Sequence, residues 1–448
     1  MPNSSVFSHN INTLEQLQTG ATLSVDPNGY LVTGAPLATT HPRKSLFSRF
    51  IGAIQNPLHQ AINQTCQQLF DEVITNNSLP LTSKSPALVK ERVKVKHILD
   101  NVTKLGNNIL PSQLESDLRE LVQSPETLEA RLALQQGIAP APLNQTISGT
   151  YVMHNRLGQP WGIFKPMSQE VGGNKNPNWL VWAAFSAEMW DIESGTGYLR
   201  ECIAYQLDKE HFSQVPLTVP TNFKHPALDT SIFPLTTPNL VGSFQIFKKN
   251  CTPLNASLKS YEYLIEKRNT WLATIITSIY VFALRCLFYF GLSHISKEQI
   301  HKIAILDMRI LNCDRHLGNC LVEENTKILY PIDHGLVLPN KARKLRFEWK
   351  NLIQSRFPFS GRSLRYIEKL DPNEDANILK RSGIAADAIE RMKLSTMLLK
   401  TGAARGLTAY QIADLIEQAF EEVICHKVFT KGENPQNVIN QAIDEYMK

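Results

Sequence analysis

Between Ile305 and Pro339 the chain reads ILDMRILNCDRHLGNCLVEENTKILYPIDHGLVLP. Asp314 is followed five positions later by Asn319, and fourteen positions beyond that by Asp333, in Asp-His-Gly. Phosphoryl transfer from ATP needs such a set. One carboxylate must lie near the attacking hydroxyl, while an amide oxygen and a second carboxylate hold Mg²⁺ against the phosphates. The D-x-x-x-x-N spacing lets a short loop present both side chains to one site. A hairpin formed by Cys320–Val322 and Lys327–Pro331 would return Asp333 beside them. The plain alternative is three polar residues in ordinary loops. Asp-Arg-His, the Asn, a hairpin and Asp-His-Gly in that order argue against it.

Protein kinases use the same spacing, with Asp-Phe-Gly as the later element. DRHLGN with PIDHGLVLP more closely resembles the phosphatidylinositol 3-/4-kinase catalytic domain, and within it the type II-like, plant gamma phosphatidylinositol 4-kinases. The resemblance extends to SGTYVM (148–153), GIFKP (162–166), GYLRECIAYQLD (197–208) and VGSFQIF (241–247), then to FEWKNLIQSRFPFS (347–360), YIEKLD (366–371) and GLTAYQIADLI (406–416). It covers about 145–420. The chain departs from that group in showing no ubiquitin-like pattern, and its phosphate loop has one Gly where the family often has two.

The resemblance implies a role for each matching residue. Lys165 would contact the α/β-phosphates and Glu201 would fix it. Ser148, Gly149 and Thr150 would close over the phosphates, since Gly lets backbone N–H groups approach. Gln245, Ile246 and Phe247 would flank the adenine. Asp314 would orient or deprotonate the acceptor hydroxyl, and Asn319 and Asp333 would be the Mg²⁺ ligands. Arg315 and His316 complete the family's Asp-Arg-His and are counted with the catalytic set, a structural imidazole being the alternative for His316. His334 is expected to be structural, and Asp307 with Arg309 a buried structural pair.

The implied activity is ATP- and Mg²⁺-dependent transfer of the γ-phosphate to the inositol head group of phosphatidylinositol. A protein Ser/Thr kinase on the same scaffold is the alternative, and a non-catalytic nucleotide-binding scaffold the third reading. The basic run in PNKARKLRFEWK (Lys341, Arg343, Lys344, Arg346, Lys350) would offer a site for a phosphoinositide head group or an anionic membrane surface.

The elements that must position these residues can be read along the chain. The length of 448 residues points to two or three domains. Hydrophobic residues at 43% and charged residues at 19% allow a real core and exclude a disordered chain. Residues 1–44, rich in Asn, Thr, Ser, Gly and Pro, read as a flexible N-terminus, and 45–140 as a helical module that would bind an unidentified protein. Leu114, Leu118, Leu121 and Val122 recur at helical spacing after Pro111. Ser124-Pro125-Glu126 reads as a capped helix start, and Gly137 as that helix's end. IAPAPLN (138–144) reads as a linker.

Strands are predicted at 150–154 and 159–165 around a turn at 155–158, with a helix near Arg200–Leu207 and a strand at Val241–Phe247. Everything after about 255 reads as mainly helical apart from the hairpin. The expected fold is therefore α+β: a two-lobed, protein-kinase-like domain over 145–425, with a small β-rich N-lobe at about 145–250 and a helical C-lobe at about 251–425. A tail covers 426–448.

The net charge of +5 fits nucleotides or membrane head groups and is too mild for a dedicated nucleic-acid binder. Seven irregularly spaced cysteines without a C-x-x-C pair suggest reduced thiols in a cytosol-like setting, without a zinc site or disulfide framework. No signal peptide is visible. The apolar run at 271–292 is interrupted by Arg285 and reads as a buried helix, shorter than a bilayer span. The segment 42–52 is read as a packed amphipathic helix over a membrane-surface one. The expected location is the cytoplasm, peripheral at membranes. An unfamiliar helical module on a eukaryotic-type kinase also suggests a bacterial effector, which would act in a host cytosol.

Overall fold

A computed structural model describes residues 4–18, 21–34, 57–77, 80–105, 109–143, 148–171, 173, 175–176, 191–228, 239–256 and 295–448. The predicted segments at 42–52 and 271–292 lie outside these residues. The chain divides into two units, one of Met1–Ala139 with His154–Pro160, the other of Pro140–Met153 with Trp161–Lys448.

The first unit holds helices α1 (Ser4–Glu15), α2 (Pro57–Asn76), α3 (Pro86–Leu105), α4 (Ser112–Gln123) and α5 (Pro125–Gln135), and an antiparallel pair β1 (Thr22–Val25) and β2 (Leu31–Gly34). The flexible N-terminus expected for 1–44 is thereby corrected over 4–18 and 21–34. Ile11, Leu14 and Leu31 are buried in one core with Ile62, Leu69, Val95 and Leu128, and Phe7, Leu23 and Val25 pack against it. The Asn10 side chain accepts from Leu31 N (2.7 Å) and donates to Gly29 O (3.0 Å) and Thr65 Oγ1 (3.3 Å). Those bonds order a segment whose composition is polar.

The α4–α5 junction falls at Ser124-Pro125 as predicted, but the Ser124 side chain makes no capping bond. Gly137 follows the helix with φ +85°, where a side chain would be strained. Buried Glu126 and Glu129 reach back instead, accepting from Ser83 N (2.7 Å) and Leu81 N (3.0 Å).

The second unit opens with five strands in the order β3-β4-β5-β7-β6. They are β3 (Ala141–Pro142), β4 (Tyr151–His154), β5 (Pro160–Pro166), β6 (Thr218–Lys224) and β7 (Asn239–Ile246). β3 occupies part of the expected linker. In the β5/β7 register Lys165 lies opposite Ser243, and Phe164 opposite Phe244. Alternation along a strand therefore separates Lys165 from the buried Phe164, Phe223 and Phe244 cluster. Helix α6 (Gly197–Leu207) packs on β6 and β7.

The helical remainder is built on α7 (Lys297–Ile310), started by Ser296, whose hydroxyl accepts from Gln299 N. It ends at Leu311 with φ +50°, a left-handed residue that turns the chain abruptly into the loop at 312–319. A three-stranded sheet follows in the order β10-β9-β8: β8 is Cys251–Pro253, β9 Cys320–Glu323 and β10 Leu329–Pro331. Next come α8 (Gly361–Lys369), α9 (Pro372–Arg381), α10 (Ala386–Ala404), α11 (Ala409–Ala419), a π-helix (Phe420–Thr430) and α12 (Pro435–Tyr446).

The tail expected from 426 onward is corrected. Val438, Ile439, Ala442 and Ile443 of α12 are buried in the same core as Ile303 and Met308 of α7 and Leu317 of the loop. The two-lobed α+β expectation holds for this unit. Among the described residues no helix is long and apolar enough to cross a membrane, and none of the six described cysteines is in a disulfide.

Candidate active site

The cation of the site is Lys165. Its Nζ lies 2.5 Å from Glu201 Oε1 and 2.8 Å from Asp333 Oδ1. Burial works against its charge, but the two carboxylates outweigh that and hold the ammonium above its ordinary value. The same ammonium holds the Asp333 carboxyl down to about 2. The expected Lys165–Glu201 pair is therefore formed. The neighbouring Arg200 points elsewhere, donating to Val337 O (2.6 Å) and Leu338 O (2.7 Å).

Glu201 Oε2 also accepts the backbone N–H of His334 at 2.9 Å. One carboxylate thus joins β5, α6 and the residue after Asp333. Asp333 itself has φ +59°, an uncommon conformation for a residue other than glycine.

The loop after α7 is organised by the buried Asp307. Its carboxylate accepts from Asn312 Nδ2 (3.0 Å), Trp349 Nε1 (3.0 Å) and Arg315 Nε (2.9 Å). Asn312 Oδ1 accepts from Asp314 N at 2.9 Å. Arg315 also donates to Asn319 O (2.5 Å) and Ile332 O (2.8 Å), and its Nη2 lies 2.8 Å from His334 Nε2. With no exposed surface, Arg315 is a positioning residue, which corrects its place among the catalytic ones. Asp307 and Arg309 are both buried, but not as a pair. Arg309 bonds Asp375 Oδ2 (2.6 Å) and Leu207 O (3.1 Å). Burial and the Arg315 charge hold His334 well below its usual range, so its Nε2 can accept.

Asp314 is half-buried, and burial together with the Asp333 charge raises its carboxyl. The His316 ring lies 4.0 Å from its Oδ2, and Arg346 Nη1 lies 3.3 Å from its Oδ1. Asn319 donates through Nδ2 to Asp314 O (3.2 Å), which leaves Oδ1 as an acceptor. Asn319 Oδ1 and the half-exposed Asp333 carboxylate are hard oxygen donors, a set that suits a small divalent cation completing its shell with phosphates and water.

Other expectations are modified. The Gly149 N–H donates to Gln169 O at 2.9 Å and so is not free for a phosphate. A Cβ on Gly149 would come within 2.1 Å of Gln169 Oε1, so close packing accounts for this glycine. Ser148 and Thr150 flank it, with the Thr150 hydroxyl donating to Ser148 O. Gln245 donates to Thr218 Oγ1 (2.9 Å), while Ile246 N and Phe247 N donate to Leu217 O and Trp161 O, all at the end of β7.

Three of the five cations in the basic run after Asp333 have acidic partners. Arg343 faces Glu422 (3.8 Å), Arg346 faces Asp314 and Glu348 (2.5 Å), and Lys350 pairs with Asp414 (3.1 Å) and Glu417. These partners occupy three of the cations expected to offer an anion site.

Sequence reasoning missed Glu170. Its Oε2 and Oε1 accept from Gly197 N (2.9 Å) and Tyr198 N (2.6 Å), anchoring the N-terminus of the helix that carries Glu201. Burial nevertheless pushes its carboxyl up to about 7. The sequence signal was only its place five residues after Lys165.

A sheet-borne lysine, a helix-borne glutamate, an Asp…Asn loop and a hairpin-borne Asp converging on one cleft define a two-lobed kinase fold. The family model of phosphatidylinositol 3- and 4-kinase matches residues 146–412, and the chain belongs to that family. The chain is 31% identical to phosphatidylinositol 4-kinase gamma 3 of Arabidopsis thaliana over 329 residues, 70% of this chain and 53% of that protein. With gamma 5 of the same plant it is 30% identical over 401 residues, 83% of this chain and 58% of the relative. With gamma 2 it is 30% identical over 390 residues, 79% and 62%. The chain thus spans a little over half the length of these curated relatives.

Proposed function

We propose that the chain is a lipid kinase that transfers the γ-phosphate of ATP to the inositol head group of phosphatidylinositol. The observation that carries this is the convergence of Lys165, Glu201, Asp314, Asn319 and Asp333 in a chain of this family. The relatives' names supply the acceptor.

Lys165 supports the α/β-phosphates, and Glu201 keeps its ammonium in place. Asp314 accepts a hydrogen bond from the acceptor hydroxyl and aligns it, its proton affinity raised by burial toward that of a base. His316 stands beside it and assists in moving the proton. Asn319 and Asp333 are the residues that would hold Mg²⁺. When bound, the ion neutralises charge developing on the phosphates. Ser148 and Thr150 border the nucleotide loop, and Gln245, Ile246 and Phe247 border the adenine. Arg346 shields Asp314 until an acceptor displaces it. The chain works at the cytoplasmic side of a membrane, where its acceptor is presented.

The test is incubation of the purified chain with labelled ATP, Mg²⁺, phosphatidylinositol vesicles and a generic protein acceptor. Label in the lipid supports the reading. Label confined to protein would sink it in favour of a protein Ser/Thr kinase.

A further inference from the structure

The cations close to Asp314 are held by carboxylates, but those on the segment that follows are not. From Ile353 to Arg365 the sequence contains Arg356, Arg362 and Arg365 and no carboxylate. Two large apolar side chains, Ile353 at 51% and Phe357 at 46% exposure, stand open in this stretch. Lys297 at the start of α7 places its Nζ 5.8 Å from the Phe357 ring centre. Its neighbour Glu298 is turned inward, accepting from Ser360 Oγ at 2.6 Å. Arg356 lies over the Tyr410 ring at 3.8 Å, which holds its guanidinium in one orientation. Arg362 and Arg365 have no acidic partner among the described residues.

The segment continues directly from Arg346 and Glu348, whose backbone atoms bond Arg315 of the catalytic loop. Exposed apolar side chains on a stretch of chain that carries three arginines and no carboxylate are suited to the interface of an anionic bilayer. The rings and chains enter the head-group region and the cations stay at the phosphates.

We propose that Ile353, Phe357, Arg362 and Arg365 form the surface by which this chain docks on an anionic membrane, presenting the cleft to lipid in the plane of the bilayer. This rests on the lipid-kinase reading for its purpose, but its binding test stands apart from it.

The experiment uses the full chain and vesicles of phosphatidylcholine with phosphatidylserine and phosphatidylinositol. One variant carries Ile353→Asp with Phe357→Asp, the other Arg362→Gln with Arg365→Gln. All four sites are on the surface, and thermal melting checks the fold of each variant. Sedimentation should show vesicle binding weakened about tenfold or more in each, from lost apolar insertion and lost charge respectively. Phosphorylation of vesicle lipid should fall in parallel. Phosphorylation of a soluble short-chain phosphatidylinositol should stay within about twofold, because the cleft is untouched.

Vesicle binding unchanged in both variants overturns the proposal, as does an equal loss on soluble and vesicle substrate. Patch-dependent vesicle binding in a chain that phosphorylates neither substrate upholds the surface and overturns the lipid-kinase reading.

Discussion

Glu201 Oε2 accepts the backbone N–H of His334 at 2.9 Å while Oε1 of the same carboxylate holds Lys165. Helix α6 therefore sets Lys165 and the Asp333–His334 backbone together. A shift of α6 would disturb at once the residues proposed to contact phosphate, Lys165, and metal, Asp333.

Glu201→Gln keeps the shape but removes the charge. Charge-assisted bonds contribute about 1.5–3 kcal/mol, so kcat/KM for ATP should fall roughly 10- to 100-fold. Steady-state kinetics with ATP as the varied substrate measures this. A loss below about threefold would contradict the role of Glu201.

Asp333→Asn and Asp314→Asn should each lower turnover by about three orders of magnitude, because positioning and charge neutralisation supply most of the rate. Asn tolerates the φ of +59° at position 333, so that variant should fold. The wild-type carboxyl sits near 2 in the folded chain and ordinarily at 3.8. Its stabilising contribution is complete above 3.8 and is lost as pH falls toward 2. Melting curves of Asp333→Asn should lack that part of the acid slope.

Arg315→Met should destabilise the fold by about 3–5 kcal/mol, because it strands the buried Asp307 carboxylate. His316→Ala, at a partly exposed ring, should cost under about 1 kcal/mol in stability while lowering turnover. Urea denaturation separates the two. Equal stability losses would contradict the division between positioning and chemistry.

Glu170 has its folded-state carboxyl near 7 against an ordinary 4.5. Between those values the folded chain binds the proton more tightly than the unfolded one. This group's contribution therefore makes stability fall as pH rises through the window, and its cost is complete above 7. Melting temperatures of Glu170→Gln between pH 5 and 7.5 should lack this contribution. An identical pH slope in wild type and variant would contradict the burial of a titrating Glu170.

The catalytic loop was legible because its geometry is local: Asp314, Asn319 and Asp333 lie within one loop and one hairpin. Lys165 and Glu201 were legible through the motifs around them. What stayed hidden depends on distant partners. The acids that bind Lys350 lie 64 and 67 residues downstream, so its neutralisation cannot be read from its neighbours. Arg315 reads as chemistry because it completes the family's Asp-Arg-His; its ion-pair partner Asp307 lies eight residues upstream and reads as the partner of Arg309. The N-terminal segment reads as loose because its apolar residues, Phe7, Ile11, Leu14, Leu23, Val25 and Leu31, keep no sustained period and are joined through the Asn10 amide. The α12 apolar residues do recur at helical spacing, a signal present at Val438, Ile439, Ala442 and Ile443 but left unread.

The burial of α12 also sets an order of events during synthesis. Leu317 of the catalytic loop shares its core with residues 438–443. While the ribosome still holds those residues, that core lacks one wall, and the loop beside Asp314 has nothing final to pack against. Domains fold as units once their chain has emerged. The newborn chain should therefore complete the packing around that loop only after Tyr446 has cleared the exit tunnel.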